Sequence, residues 1–235
     1  MQIKTISSIS ISDSWEGVQL HEIALRQGDL DGACGPYSLM MALLLSDGLS
    51  RTQAQKLWNG DADGRSKFGK WTAQADALIT KGTDDADLKD LFKAIQSFVD
   101  TAKIHSLNIV NVPVLDKTGG ITSKSALSAI RDHIDNANKP VILILKWSKS
   151  TSHWVVAIGY QVRVKNGKEE LAHILTLDPG SSIGKTSAWN GVLGQGAVGD
   201  RKLRYMTEDS EPCICSISKA IGLTNNTTRR ASKKS

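Results

Sequence analysis

Ser152-His153-Trp154-Val155-Val156-Ala157-Ile158-Gly159-Tyr160-Gln161-Val162-Arg163-Val164-Lys165-Asn166-Gly167-Lys168-Glu169-Glu170-Leu171-Ala172-His173-Ile174-Leu175-Thr176-Leu177-Asp178 reads as two strands joined by a tight turn. Apolar, β-branched and aromatic residues fill both arms, and such residues suit a pleated, half-buried surface. Asn166-Gly167 between them is the strongest short signal for a two-residue hairpin turn. Centring the turn on that pair sets Val155 opposite Asp178 and His153 opposite Gly180. His153 and Asp178 then become diagonal neighbours at one end of the hairpin, within reach of long or aromatic side chains. A local turn signal thus brings an imidazole to a carboxylate. His173 lies on the second arm with the opposite parity, and His21, His105 and His133 have no motif beside them, so these four are read as structural.

Strands continue on both sides of the hairpin. Pro140 to Trp147 holds an uninterrupted apolar run, Val141 to Leu145, as expected of a central buried strand. Leu107 to Val114 is a shorter apolar strand, and Lys202 to Met206 and Cys213 to Ile217 complete the expected sheet. Between them, Ser123 to Ala137 carries Leu127, Ile130 and Ile134 on one face of a helix. The stretch from Gly180 to Gly199 is rich in glycine and is read as a loop, either a mobile cover over a cleft or a long connection.

Upstream the periodicity becomes helical. Cys34 opens a segment to Ser46 that is apolar nearly all round, which predicts a buried central helix ended by Asp47-Gly48. Pro36 sits in its first turn, where a missing N–H costs nothing. Residues 50–104 predict a helical insert, with helices near 51–59, 71–79 and 84–103. Asn59-Gly60-Asp61-Ala62-Asp63-Gly64 resembles half of a calcium loop, but Lys70 stands where the bidentate Glu is needed, so no metal is expected there. At the N-terminus, alternation over residues 2–12 and the run Val18 to Leu25 predict two strands. Helices first and antiparallel strands later make an α+β order.

Composition narrows the function classes. The 235 residues suffice for one sizeable core. The net charge of +5 is concentrated at Arg229, Arg230, Lys233 and Lys234. The body is nearly neutral and has no electrostatic footprint for nucleic acid. A folded domain is expected over 1–222 and a disordered basic tail over 223–235. The longest apolar run, Leu39 to Leu45, is far short of a membrane span. The start Met1-Gln2-Ile3-Lys4-Thr5 lacks the pattern of a secretory signal, which points to a chain that is cytoplasmic as synthesised. Three cysteines make no disulfide framework, and Cys213 and Cys215 lie one residue apart on a predicted strand, as structural thiols without a metal.

Cys34 is the cysteine placed for chemistry. A cysteine attacks as its thiolate, and the free N–H groups and dipole at a helix start favour that anion. A neighbouring imidazole needs a third group to fix its tautomer and orientation. Cys34 as nucleophile, His153 as base and Asp178 as the group that orients the base make one such set. The backbone N–H of Cys34 and the side-chain amide of Gln27 are candidate donors to an oxyanion. Trp147, Trp154 and Trp189 flank these residues, as packing or as the wall of a substrate groove.

Three segments also carry a family likeness. Gln27-Gly28-Asp29-Leu30-Asp31-Gly32-Ala33-Cys34-Gly35-Pro36-Tyr37-Ser38-Leu39 resembles the nucleophile motif of the C39-like branch of papain-fold cysteine peptidases. Ser152 to Tyr160 is similar to that family's histidine strand, and Leu177-Asp178-Pro179-Gly180 to its Asp-Pro element. The likeness implies a papain-like α+β fold, with a central helix carrying the cysteine packed on an antiparallel sheet carrying His and Asp. It implies catalytic roles for Cys34, His153, Asp178 and Gln27. Substrate contacts are expected at Gly35 and Trp154, and no cofactor is expected. Protein or peptide is the expected substrate, with no nucleic acid or membrane partner. The expected activity is amide-bond hydrolysis through a Cys-His-Asp triad and a thioester, as in a cysteine peptidase; the alternatives are a glutamine deamidase or acyltransferase effector delivered into another cell, and a non-catalytic binding module.

Overall fold

The apolar runs at 141–145 and 154–160 are buried at nearly every successive residue, so both faces of each strand are covered. A closed barrel with helices against its wall achieves this. The computed structural model describes residues 1–9, 23–27, 32–58, 82–99, 101–114, 122–147, 151–182, 187–196 and 202–226. The helix expected at 71–79, the loop Asn59 to Gly64 and the tail from 227 lie outside these. Of the strand expected at 18–25, only 23–25 are described, and none of them is in a strand.

Eight strands are described: β1 Gln2–Thr5, β2 Leu107–Asn111, β3 Val141–Lys146, β4 Ser152–Lys165, β5 Lys168–Leu177, β6 Gly191–Gln195, β7 Leu203–Thr207 and β8 Cys213–Asn225. The helices are α1 Cys34–Leu45, α2 Arg51–Trp58, α3 Asp85–Phe98, α4 Ala102–His105 and α5 Ser123–Ala137. Strands β3 to β8 pair in the ring β4-β3-β8-β7-β6-β5 and back to β4, antiparallel throughout. The two long strands each carry an extra partner. β1 extends the β3 side of β4, and β2 extends the β7 side of β8.

The papain-like α+β arrangement expected from the sequence is therefore corrected to a mostly-sheet molecule built on a closed six-stranded antiparallel barrel with two added strands. The decisive element is β6, which lies inside the stretch expected to be a loop. Without it, β5 and β7 have no link and the sheet stays open. With it, Thr176 pairs Gly191 and Gly191 pairs Thr207, and the ring closes. The expected tail boundary also moves. β8 runs to Asn225, and Leu223 is fully buried.

The central hairpin forms about the turn read from the sequence. Asn166 and Gly167 both take positive φ, at 52° and 74°, as a type I′ turn requires. Two bulges then occur, one leaving Ala172 unpaired on β5 and one leaving Ile158 unpaired on β4. They lie on opposite strands and cancel, so Val156 pairs Leu177 in the register that the turn alone dictates.

Helix α1 packs on β4 and β3 with Leu39, Met40, Met41, Leu43 and Leu45 buried. Burying each such side chain is worth roughly 1.5–3 kcal/mol, which holds the helix without a side-chain N-cap. Asp47, at a positive φ of 62°, ends it. Helix α3 starts on a capping box between Asp84 and Asp87. The expected helix over 84–103 is broken at Val99 into α3 and α4. Among the described residues no helix is long and apolar enough to cross a membrane.

Candidate functional site

The first intrahelical bond of α1 runs from the Tyr37 N–H to the Ala33 carbonyl, at 3.1 Å. The N–H groups of Cys34 and Gly35 therefore precede the helical ladder, in its positive end, and Pro36 has none to satisfy. Cys34 lies in the first turn with its sulfur at the histidine. His153 is the second residue of β4, and its Nε2 lies 2.6 Å from Asp178 Oδ1. Asp178 follows the last residue of β5 directly. The side chain of Cys34 is the other group that bears on the His153 ring and raises its pKa. With Nε2 taken by the carboxylate, Nδ1 is the nitrogen left to serve the thiol.

The electrostatics follow from this order. Burial opposes a charge on His153, but the hydrogen bonds to Asp178 and Cys34 and their negative charge outweigh it, and its pKa stands at about 10. Burial likewise pushes Asp178 up, but the His153 hydrogen bond and charge, with donors from Tyr205 and Gly180, carry it below the ordinary carboxylate value. The resting site is an imidazolium held by a carboxylate.

Three groups hold Asp178 that the sequence did not single out. The Tyr205 hydroxyl, from β7, donates to Asp178 Oδ2 at 2.7 Å. The Gly180 N–H donates to Oδ1 at 2.7 Å. Asn190, 2% exposed, accepts from the Asp178 N–H at 2.7 Å and donates to the carbonyls of Asp178 and Ser181 at 2.8 and 3.1 Å. Asn190 precedes β6, so missing that strand also hid the asparagine. Tyr205 lay on an expected strand, but its partner is set by barrel closure, which no local pattern reports.

Gln27 reaches the same place. Its N–H donates to the Pro179 carbonyl at 2.9 Å, which seats it on the Asp178-Pro179-Gly180 turn. Its side-chain Oε1 is buried and accepts no hydrogen bond from the described residues. The two expected substrate contacts, Trp154 and Gly35, are placed differently. Trp154 is 2% exposed, and its indole N–H donates to the Thr83 carbonyl at 2.9 Å, so it packs rather than lines an opening. Gly35 is buried; a Cβ there would stand 2.9 Å from Thr83 Cβ, so glycine is what lets α1 approach the chain before α3. Trp147 is the exposed aromatic at the site, its ring centroid 6.0 Å from that of His153. Cys34 keeps 7% of its surface and the His153 side chain 16%, so solvent reaches the pair over a small area beside Trp147.

The remaining thiols and imidazoles differ in kind. Burial pushes the Cys215 thiol up to about 12 and raises Cys213 as well. His133 and His173 are both lowered by burial; His133 Nε2 lies 2.9 Å from the Leu223 carbonyl, and His173 Nδ1 2.9 Å from Gln161 Oε1. No protein-family model, curated protein or solved structure matches the chain.

Proposed function

We propose that the chain is a cysteine hydrolase of amide bonds in proteins or peptides. The observation that carries this is one imidazole shared between a helix-tip thiol and a buried carboxylate 2.6 Å away. The motif likeness to C39-like cysteine peptidases supports it at the level of the site. The Cys34 sulfur attacks the substrate carbonyl carbon, and the π electrons move onto oxygen. The backbone N–H of Cys34 and the Gln27 amide are the donors available to that oxyanion. The intermediate collapses to a thioester, and the departing amine takes its proton from His153. Neutral His153 then removes a proton from water, the hydroxide displaces the sulfur, and the carboxylic acid leaves with the imidazolium restored.

Two measurements test this. Iodoacetamide at neutral pH should alkylate Cys34 at least tenfold faster than Cys213 or Cys215, whose thiols burial raises. Equal, slow labelling of all three overturns the proposal in favour of a binding module. Intact-mass spectrometry of candidate target proteins then identifies the acceptor. Fragments indicate peptide hydrolysis by water, and a gain of about one dalton indicates deamidation of a side chain, both through the same acyl-enzyme.

A further inference from the structure

Tyr205 is buried to 3% exposure, and its hydroxyl meets Asp178 Oδ2 at 2.7 Å, while the opposite oxygen of the carboxylate meets His153. Its only other hydroxyl neighbour among the described hydrogen bonds is Thr176 Oγ1, at the long distance of 3.5 Å. The space for this hydroxyl is made by Gly191 on β6, diagonal to Tyr205 across the pair of strands. A Cβ there would lie 2.6 Å from Tyr205 Oη and 2.5 Å from Thr176 Oγ1. A phenol in an apolar barrel wall costs free energy unless it is bonded, and its bond is given to the one carboxylate that touches the histidine.

We propose that Tyr205 is a positioning residue of the hydrolase site: it fixes the Asp178 carboxylate so that one oxygen is held for His153, with Gly191 as the residue that admits it. This rests on the hydrolase assignment. The titratable groups facing Asp178 among the described residues are His153 from β4, Tyr205 from β7, Cys213 from β8 and, through the imidazole, Cys34 from α1; the Gly180 N–H also bonds Oδ1. Of the titratable groups, His153 and Tyr205 bond the carboxylate side chain directly, one on each oxygen. Removing the hydroxyl leaves Oδ2 buried without its donor and frees the carboxylate to rotate away from Nε2.

The test is the rate of Cys34 alkylation by iodoacetamide at pH 7 in a double-mutant cycle. Tyr205→Phe is expected to slow it about tenfold, the effect of losing one hydrogen bond to a charged group. In an Asp178→Asn background, Tyr205→Phe should have no further effect, because the group it acts through is gone. Tyr205→3-fluorotyrosine, which keeps ring and hydroxyl, should stay within about twofold of the wild type. Should Tyr205→Phe not fold, Gly191→Ala displaces the hydroxyl and is read in the same cycle. An unchanged rate, or equal slowing in both backgrounds, overturns the role of Tyr205 and leaves the hydrolase assignment standing. A wild-type Cys34 no faster than Cys213 and Cys215 overturns both.

Discussion

Asn190 closes a two-sided clamp on the backbone of Asp178. Its Oδ1 accepts from the Asp178 N–H at 2.7 Å and its Nδ2 donates to the Asp178 carbonyl at 2.8 Å. The carboxylate is thus held by its main chain from the start of β6 and by its side chain from β4, β7 and the following turn. Replacing Asn190 with Ala leaves the buried Asp178 N–H without its partner and takes a donor from the carbonyls of Asp178 and Ser181, at a cost of about 1–3 kcal/mol. Urea unfolding should show that loss, with Cys34 alkylation slowed in the folded variant.

The proton on His153 links the site to stability. In the folded protein it is held to about pH 10, against 6.5 for an ordinary histidine. Between these values the folded state binds more protons than the unfolded one, so stability falls as pH rises. The contribution is complete below about pH 6.5 and is gone above about pH 10. Asp178 is lowered, so its contribution is present above its ordinary 3.8 and is lost as pH falls through its lower folded value. Melting temperature followed from pH 6 to 10 should decline more in the wild type than in His153→Gln.

Gly35→Ala sets two effects against each other. Alanine in a helix gains up to about 1 kcal/mol over glycine. The new methyl, however, would stand 2.9 Å from Thr83 Cβ and 3.1 Å from Leu88 Cδ1. Overpacking of that kind costs about 1–3 kcal/mol, so the variant should melt lower. The first turn of α1 must move to relieve it, and Cys34 moves with that turn. Thermal unfolding and Cys34 alkylation should therefore fall together.

Trp147 faces the imidazolium with its ring tilted 46° to the histidine ring. At 6.0 Å and partial exposure, an aromatic face stabilises a cation by about 0.5–1 kcal/mol. Trp147→Ala should lower the His153 titration midpoint by less than one pH unit, measured by nitrogen-15 imidazole resonances.

The hairpin announces itself in its residues, because a two-residue turn needs positive φ at both central positions and Asn-Gly supplies it. The juxtaposition of His153 and Asp178 followed from that turn, although two bulges intervene. Either bulge alone shifts the pairing by one residue and sends Asp178 to the other face. Their cancellation is not written in any local pattern. The helix carrying Cys34 was readable for the opposite reason: so apolar a segment has nowhere to go but the interior. The barrel was not readable because β6 looks like a loop. Its glycines at 191 and 194 leave room for Tyr205 and His173, whose side chains cross the strand; a Cβ at Gly194 would lie 2.8 Å from His173 Cδ2. A strand that yields its own side-chain volume to its neighbours shows little of the alternation that marks strands elsewhere.

That closed ring divides the three groups of the candidate site between two kinds of attachment. His153 and Asp178 hang from neighbouring strands of the barrel, whereas the sulfur arrives on a helix held to the wall by packing. Deuterium uptake under native conditions should therefore find α1 opening in smaller fluctuations than β4 and β5. Partial unfolding parts the thiol from the imidazole while the imidazole–carboxylate pair stays whole.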